Sequence, residues 1–206
     1  MSIVKLNNNG VKNATAFGSG VTSLGSMAFI KKLTASSSGT LSFVDGASSV
    51  VLDDTYKEYL FTFNNIHPSA NSTLTINGSI DSGSNYNVAK TTTAIEVYNH
   101  ETNGSEGMQY RDDSDLAQGT GTHILSTTVG TDNDQSCSGY LHLFNPSSTT
   151  FVKHFIARVQ GYHNGDYSIE WPSAGYFNTT SAIDAEQFKM SSGNIDAGDI
   201  CLYGIN

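Results

Sequence analysis

The side chains best suited to chemistry in this 206-residue chain do not fall into a catalytic frame. No serine lies in the G-x-S-x-G frame of a nucleophile elbow, and the stretch "GSGVTSLG" lacks the lysine of a phosphate-binding loop and the spacing of a dinucleotide fingerprint. His142 and His154 lie in strand-like segments with no recurring carboxylate beside them, which is typical of solvent-facing or hydrogen-bonded histidines. A glycosidase pair from distant strands stays open, but no pair stands out. We therefore predict that the protein is not an enzyme.

Two acidic clusters offer the hard oxygen ligands that calcium prefers. They are "RDDSD" at residues 111–115 and "TDND" at residues 131–134, and neither has the glycine that an EF-hand loop requires. Cys137 and Cys201 are far apart, with no C-x-x-C pair and no partnering histidine, so two free thiols are expected. We predict no metal site and no cofactor, and we interpret the acidic clusters as solvated loops.

A third pattern is aromatic and indicates contact rather than catalysis. The turn-rich segment "GYHNGDYSIEWPSAGYF" spans residues 161–177. Clusters of tyrosine and tryptophan are common on carbohydrate-binding and protein-binding surfaces. We predict a contact surface that contains Tyr162, Tyr167, Trp171 and Tyr176. The alternative, in which these rings fill the core of a thin sandwich, stays open at this stage.

Charge and hydropathy argue against two classes of partner. The net charge of −9, with only 10 lysines and arginines, gives no positive patch for neutralising phosphates, so we expect no nucleic-acid partner. No window approaches about eighteen consecutive apolar residues, so we expect no membrane insertion. The N-terminal "MSIVKLNNNG" becomes polar before the core of a signal peptide could form, and we expect synthesis in a cytoplasm.

The segments that would position these residues alternate apolar and polar side chains with the period of β-strands. Tyr59, Phe61 and Phe63 share one face of "EYLFTFNNI". Further strand candidates follow at the spacing of an all-β sandwich: "GTHILSTTV", "GYLHLFN", "TTFVKHFIARVQGY" and "YSIEW". We predict an all-β fold, an antiparallel β-sandwich over residues 28–206 preceded by an extended N-terminal arm over residues 1–27.

Three segments carry more specific expectations. Residues 101–118 are polar and acidic, and we expect a long surface loop with one helical turn near Asp115. "EQFKM" and "DICLYGI" flank a glycine-containing connection and are expected to form a terminal hairpin, whose last strand is internal because both of its faces are partly apolar. In "EQFKM", Glu186 falls on the apolar face of Phe188 and Met190, so either the strand begins later or the carboxylate has a partner.

Three longer segments resemble recurring segments of uncharacterised virion proteins of tailed bacteriophages, especially marine ones. They are "LDDTYKEYLFTFNNIHPS" (residues 52–69), "SIDSGSNYN" (79–87) and "FKMSSGNIDAGDICLYGI" (188–205). The shared features are a tyrosine-rich strand ending in an N-x-hydrophobic-x-P turn, a D-x-G-x-x-Y/F turn and a terminal SGNI-x-x-G-x-I-x-LYGI segment. The resemblance implies a jelly-roll-like β-sandwich module on the phage particle, and it carries over no catalytic residue. Glu186 stands where an apolar residue is usual.

We therefore expect a structural component of a bacteriophage virion, either tail- or fibre-associated or on the head surface, that docks on other virion proteins and is assembled in the host cytoplasm. The N-terminal arm is expected to anchor it. A thin core favours further burial through a homo-oligomer, of which a trimer is one form. Two alternatives stay open: a capsid decoration protein, and a carbohydrate-binding or carbohydrate-active protein that contacts a glycan of the host surface.

Overall fold

Strands and turns make up the described part of the chain, residues 27–206 of a computed structural model. The twelve strands of this part are β1 (Met27–Thr34), β2 (Leu41–Val44), β3 (Glu58–Pro68), β4 (Leu74–Ser79), β5 (Lys90–His100), β6 (Glu106–Tyr110), β7 (His123–Ile124), β8 (Cys137–Phe144), β9 (Lys153–His163), β10 (Tyr167–Phe177), β11 (Ala185–Met190) and β12 (Ile195–Ile205). The predicted all-β class is confirmed. The predicted N-terminal arm over residues 1–27 lies outside the described residues, apart from Met27, with which β1 begins.

Two antiparallel sheets form the two layers of the fold. The large sheet has eight strands in the order β1-β12-β3-β8-β9-β10-β5-β6, and the small sheet has four in the order β2-β11-β4-β7. Apolar side chains from both sheets meet in one main core. This is the arrangement of a β-sandwich, as predicted. The jelly-roll connectivity that the resemblance implies stays a prediction.

The core forms because β3 alternates large apolar side chains with more polar ones. Tyr59, Phe61 and Phe63 are fully buried and belong to the same core as Phe43 and Phe188 of the small sheet. The ring centroids of Phe61 and Phe188 are 5.2 Å apart, and those of Phe43 and Phe61 are 5.3 Å apart in an edge-to-face arrangement. Such aromatic pairs add about 0.5–1.5 kcal/mol each to the stabilisation from buried area. The predicted inward face of β3 is confirmed.

The last strand lies inside the large sheet, between β1 and β3, which confirms that it is internal. The predicted terminal hairpin is wrong, because β11 belongs to the small sheet. Phe188 and Met190 on β11 enter the core from one layer and Ile200 on β12 enters it from the other, so the two strands do not pair. Residues 191–194 carry the chain between the layers, and Gly193 has the positive φ of 70° that this sharp connection needs.

The predicted long loop over residues 101–118 is interrupted by a strand. β6, Glu106–Tyr110, pairs with β5 and forms one edge of the large sheet. Near Asp115 the chain makes a turn, closed by a bond of 3.2 Å from the N–H of Ser114 to the carbonyl of Arg111, and not a helix. The sequence of β6 contains a glycine and a glutamate, so pairing with β5 rather than local propensity forms the strand.

The small sheet is narrower than the large one, so part of the inner surface of the large sheet has no strand opposite it. The inner positions near Glu96 on β5 and Trp171 on β10 lie instead against the segment that begins with β7, including Ile124 and Thr127. Because this segment is a single stretch of chain rather than a sheet, a cleft remains at that end of the sandwich.

Candidate functional site

The four predicted contact residues lie on both faces of the β9–β10 pair. Tyr167 and Trp171 are on the inner face, where Trp171 is 3% exposed and packs with its neighbour Ile169. Tyr162 and Tyr176 are on the outward face, Tyr162 near the turn that joins β9 to β10 and Tyr176 near the opposite end of β10. The four rings therefore do not form one contact surface.

Tyr167 and Trp171 line the cleft at the open end of the sandwich, which we call the polar cleft. Its other main lining side chains are Glu96, Tyr98, Gln109, Arg111, Asp113 and His163. The part around Arg111 has a volume of about 310 Å³. This volume lies at the lower end of the range for sites that bind small molecules.

Arg111 organises the charges of the polar cleft. Its guanidinium donates hydrogen bonds to Glu96 Oε2 and to both carboxylate oxygens of Asp113, at 3.0 and 2.8 Å for the two Asp113 bonds. The bond from Arg111 holds the pKa of Asp113 below its usual range, and the bond to Asp113 raises the pKa of Arg111. The guanidinium carbon also lies 5.6 Å from the ring centre of Trp171, in a cation–π contact.

Neutral groups complete the polar lining of the cleft. Gln109 Nε2 donates to Glu96 Oε2 at 2.8 Å. His163 Nδ1 accepts a hydrogen bond of 3.0 Å from the N–H of Gly165, and burial lowers the pKa of the His163 imidazole. His163 is therefore neutral at neutral pH, because its ordinary pKa already lies below 7.

The polar cleft has the composition of a binding site rather than of a proton-transfer site. Both carboxylates accept hydrogen bonds from Arg111, so neither is placed to act as a general acid. The Nε1 of Trp171 is buried and has no hydrogen-bond partner within the described part of the chain. Buried donors of this kind normally have a partner. An aromatic ring beside charged and amide groups suits a polar ligand such as a sugar.

A second candidate surface is the outward side of strands β5, β6, β9 and β10, which we call the outer face. Its large exposed apolar side chains are Ile95, Val97, Met108, Tyr110 and Ile156. Ile95 is directly opposite Tyr110, and Val97 is opposite Met108, so cross-strand pairing makes them neighbours. Met108 is 75% exposed and Ile156 is 50% exposed.

Small and apolar residues of β10 fill the space between these side chains. Ala174 is opposite Ile156, and Pro172 is opposite Arg158. Arg158 Nε donates to Glu170 Oε1 at 2.7 Å, so these two charges satisfy each other within the face. The outer face is therefore a mostly apolar surface that contains the paired charges of Arg158 and Glu170, with the exposed carboxylate of Glu106, opposite Asn99, at its edge.

Four buried ionisable residues lie inside the sandwich; the sequence analysis identified Glu186 as unusual but missed the other three. Lys90 and Lys153 are fully buried at the first positions of β5 and β9, and His123 is buried in β7. Glu186 is also fully buried, in a strand that begins before it at Ala185, and its carboxylate has no hydrogen-bond partner among the residues described. The alternation of strand positions is the signal that would have revealed the lysines. Inward positions recur at every second residue of a strand, and Lys90 and Lys153 each fall at such a position.

No protein-family model, curated protein or solved structure matches this chain. Between residues 27 and 206, no group of three or more histidine, cysteine, aspartate or glutamate side chains is arranged to hold a metal ion. The same stretch contains no helix with the length and apolar character needed to span a membrane. Cys137 and Cys201 are both buried free thiols, as predicted.

Proposed function

We propose that this chain is a non-enzymatic structural component of a tailed-bacteriophage virion, which docks on other virion proteins through the outer face. The proposed position is tail- or fibre-associated or on the head surface, and the proposed place of assembly is the host cytoplasm. The observation that carries the proposal is the row of exposed apolar side chains on the outer face. The resemblance of three segments to phage virion proteins supports it from the sequence.

An apolar sheet face of this kind is uncommon on a protein that acts alone. Single apolar residues are normal on protein surfaces, but contiguous groups of them mark contact sites. On the outer face, five large apolar side chains exposed by 36–75% lie on strands β5, β6 and β9 of one sheet. Covering them with a partner would remove apolar area from water, which stabilises a complex by about 25 cal/mol for each Å².

The partner that fits the outer face is another virion protein with an apolar, uncharged surface. Arg158 and Glu170 already neutralise each other, so the partner needs no charge to match either of them. The net charge of −9 opposes close approach of two whole chains, and burial of apolar area on the outer face would offset that repulsion. A second copy of this chain is one such protein, and it would produce the homo-oligomer expected from the sequence.

The double variant Ile95→Thr with Ile156→Thr tests this function. Threonine keeps the β-branched shape that strands favour, so the variant should fold. We expect it to be missing from purified phage particles, as measured by mass spectrometry of their proteins. The matched control is Ile80→Thr, at an isoleucine that is 45% exposed outside the outer face, and it should be incorporated like the parent.

Two results would contradict the proposal in different ways. Normal incorporation of the double variant would contradict docking through the outer face. Absence of the parent protein from purified particles would contradict the virion function itself. Electron cryomicroscopy of particles that carry a tagged chain would then separate a tail or fibre component from a capsid decoration protein.

The polar cleft favours a second candidate function, binding of a glycan of the host surface. Arg111 and Gln109 offer hydrogen-bond donors to the cleft, and the ring of Trp171 lies against the guanidinium of Arg111. Isothermal titration with oligosaccharides from the host envelope tests it. We expect Gln109→Ala to weaken binding about tenfold, because a hydrogen-bond donor to the ligand is lost, and Tyr140→Phe, on the outward side of β8, to leave it unchanged. Failure of the parent to bind any of these oligosaccharides would contradict this function.

A further inference from the structure

Three buried polar side chains lie where β5 of the large sheet approaches the small sheet. They are Lys90 on β5, Asn77 on β4 and Glu186 on β11, exposed by 0%, 3% and 0% respectively. β4 and β11 are adjacent, and Glu186 is directly opposite Gly78. The space beside Gly78 is filled by the ring of Phe177 and the side chain of Ile183. The charge of Glu186 interacts with that of Lys90.

The amine of Lys90 is held against the side-chain amide of Asn77. Lys90 Nζ donates to Asn77 Oδ1 at 2.7 Å and to the carbonyl of Val88 at 2.9 Å. The amide nitrogen of Asn77 donates to the carbonyls of Tyr86 and Thr120, at 2.6 and 3.0 Å. These two bonds orient the amide so that its oxygen faces the lysine. The atom directly behind that oxygen is Cγ, the electrophilic carbon of the amide.

The surroundings favour the neutral amine, which is the nucleophilic form of lysine. Burial lowers the pKa of Lys90 to about 8, against the opposing effect of the Glu186 charge. Burial also raises the pKa of Glu186 to about 8. The two groups then hold a proton with similar strength, so a proton can pass between them once the Glu186 carboxylate, which has no hydrogen-bond partner within residues 27–206, comes within hydrogen-bond reach of Nζ. The ring of Phe177, 5.7 Å from Lys90 Nζ, adds apolar surface beside the amine.

We infer that Lys90 and Asn77 form an intramolecular isopeptide bond, with Glu186 as the acid–base group that moves the protons. The Nζ lone pair attacks Cγ, and the carbonyl electrons shift to Oδ1 as the new bond forms. The N–H of Gly78, which donates to Oδ1 at 3.0 Å, stabilises the negative oxygen. Glu186 accepts a proton from Nζ and delivers one to Nδ2, the Cγ–Nδ2 bond breaks, and ammonia leaves. One amine and one primary amide give one secondary amide and one ammonia, and Glu186 returns to its starting form.

This role accounts for a carboxylate that packing alone does not explain. Glu186 lies on the face of β11 that also carries Phe188 and Met190, where an apolar side chain would pack. Both of its oxygens are without a hydrogen-bond partner within residues 27–206, and an unpaired buried carboxylate is costly. Proton transfer requires the carboxylate to come within hydrogen-bond reach of Lys90 Nζ, the cation whose charge already acts on it.

Lys153 supplies a comparison within the same molecule. It is also fully buried, but its Nζ donates to the backbone carbonyls of Thr179 and Ser181, at 3.1 and 2.6 Å. No side-chain amide accepts from it, so the same chemistry is not available there. The bond at Lys90 would tie β5 of the large sheet to β4 of the small sheet, and it does not depend on the proposed virion function.

The intact mass of the full-length protein tests the inference. We expect the parent to be lighter than its sequence by one ammonia, about 17 Da, after incubation at a pH of about 8. Proteolytic fragments should contain a branched peptide that joins Asn77 to Lys90. The variants Lys90→Met and Glu186→Gln should have their full mass, whereas the control Lys153→Met should keep the loss.

The Asn77–Gly78 step offers another route to the same mass, because an asparagine followed by glycine can close to a succinimide with loss of ammonia. That ring does not involve Lys90, so it would also form in Lys90→Met and would give no branched peptide. Three results would each overturn the inference. They are a parent protein of full mass, a mass loss that persists in Lys90→Met, and a peptide map without the branched peptide. The parent's peptide map decides the question even if a variant fails to fold.

Discussion

Strands β3 and β5 lie in the same sheet and both alternate in polarity, yet they bury opposite kinds of residue. β3 directs Tyr59, Phe61 and Phe63 into the core. β5 directs Glu96 inward, at 7% exposed, and Ile95 outward, at 38% exposed. Alternation therefore defines the two faces of a strand, but the position of the second sheet decides which face is buried.

The polar inner row of β5 is tolerated because other elements supply partners for it. Lys90 bonds Asn77 of β4, and Glu96 bonds Arg111, which follows β6. The apolar outer row has no such partner within the described part of the chain, so it stays open to a neighbour. On this basis β3 holds the monomer together, whereas β5 carries the proposed isopeptide bond on its inner side and the proposed docking surface on its outer side.

The largest expected effect comes from removing the strand that borders β3. Deleting residues 202–206 removes the end of β12, which pairs with both β1 and β3, and removes the fully buried Leu202. Burial of a residue of this type stabilises the fold by about 1.5–3 kcal/mol, and backbone groups on both neighbouring strands also lose their hydrogen-bond partners. These losses are large compared with a total free energy of unfolding of about 5–15 kcal/mol. We expect the truncated chain not to fold, as measured by circular dichroism and soluble expression. Deleting the exposed Asn206 alone is the control, and a truncated protein that melts within a few degrees of the parent would contradict this expectation.

A single substitution in β3 should have the next largest effect. Phe61 contacts Phe43 and Phe188 in the core, so Phe61→Ala leaves a cavity between the layers. We expect a loss of about 3–5 kcal/mol in the free energy of unfolding, measured with urea. The neighbouring Thr62→Ala, on the opposite face of β3, is the control and should change stability far less. A loss below about 1 kcal/mol for Phe61→Ala would mean that the core collapses around the cavity.

Elements with a buried apolar face could be predicted from the sequence, and elements shaped by pairing could not. Tyr59, Phe61 and Phe63 mark β3 because their spacing is explained only by a strand with one buried face. β6 carries no such pattern, and β7 covers only two residues of the predicted strand "GTHILSTTV". β11 and β12 are separated by a short connection that is also typical of a hairpin. Which sheet each strand joins depends on long-range pairing, which local spacing does not encode.

The polar cleft was predictable only in part, for the same reason. Trp171 and Tyr167 stand out as aromatic residues in a turn-rich segment, and both line the cleft. Glu96 and Arg111 come from different segments, and the β5–β6 pairing brings them together. Arg111 belongs to the acidic cluster that the sequence analysis interpreted as a solvated loop, and nothing in the local pattern indicated which face of β5 would be covered.

The buried His123 makes the stability of the polar inner region depend on pH, which the apolar core around β3 does not do. Burial, with a smaller effect from the charge of Lys90, lowers the pKa of His123 from 6.5 to about 3. The unfolded chain therefore binds a proton before the folded one does, so stability is present above pH 6.5 and falls as the pH drops towards 3. When the pH falls from 7 to 5, the free energy of unfolding should decrease in both proteins. We expect the decrease to be about 1–2 kcal/mol smaller in His123→Phe than in the parent, as measured by urea unfolding. His154→Phe, at an exposed histidine of β9, is the control, and equal losses in His123→Phe and the parent would contradict the expectation.

The smallest effect on the isolated chain should come from the outer row of β5, at Ile95→Ala. Ile95 is 38% exposed, so alanine removes apolar contacts that are already partly replaced by water. We expect a loss below about 1 kcal/mol in urea unfolding, which is several times less than for Phe61→Ala. If the outer face docks on another virion protein, the same substitution should lower incorporation into particles much more than this change in stability would. A loss above about 2 kcal/mol in the isolated chain would show that the outer row of β5 stabilises the monomer as the inner row of β3 does, and the contrast between the two strands would then fail.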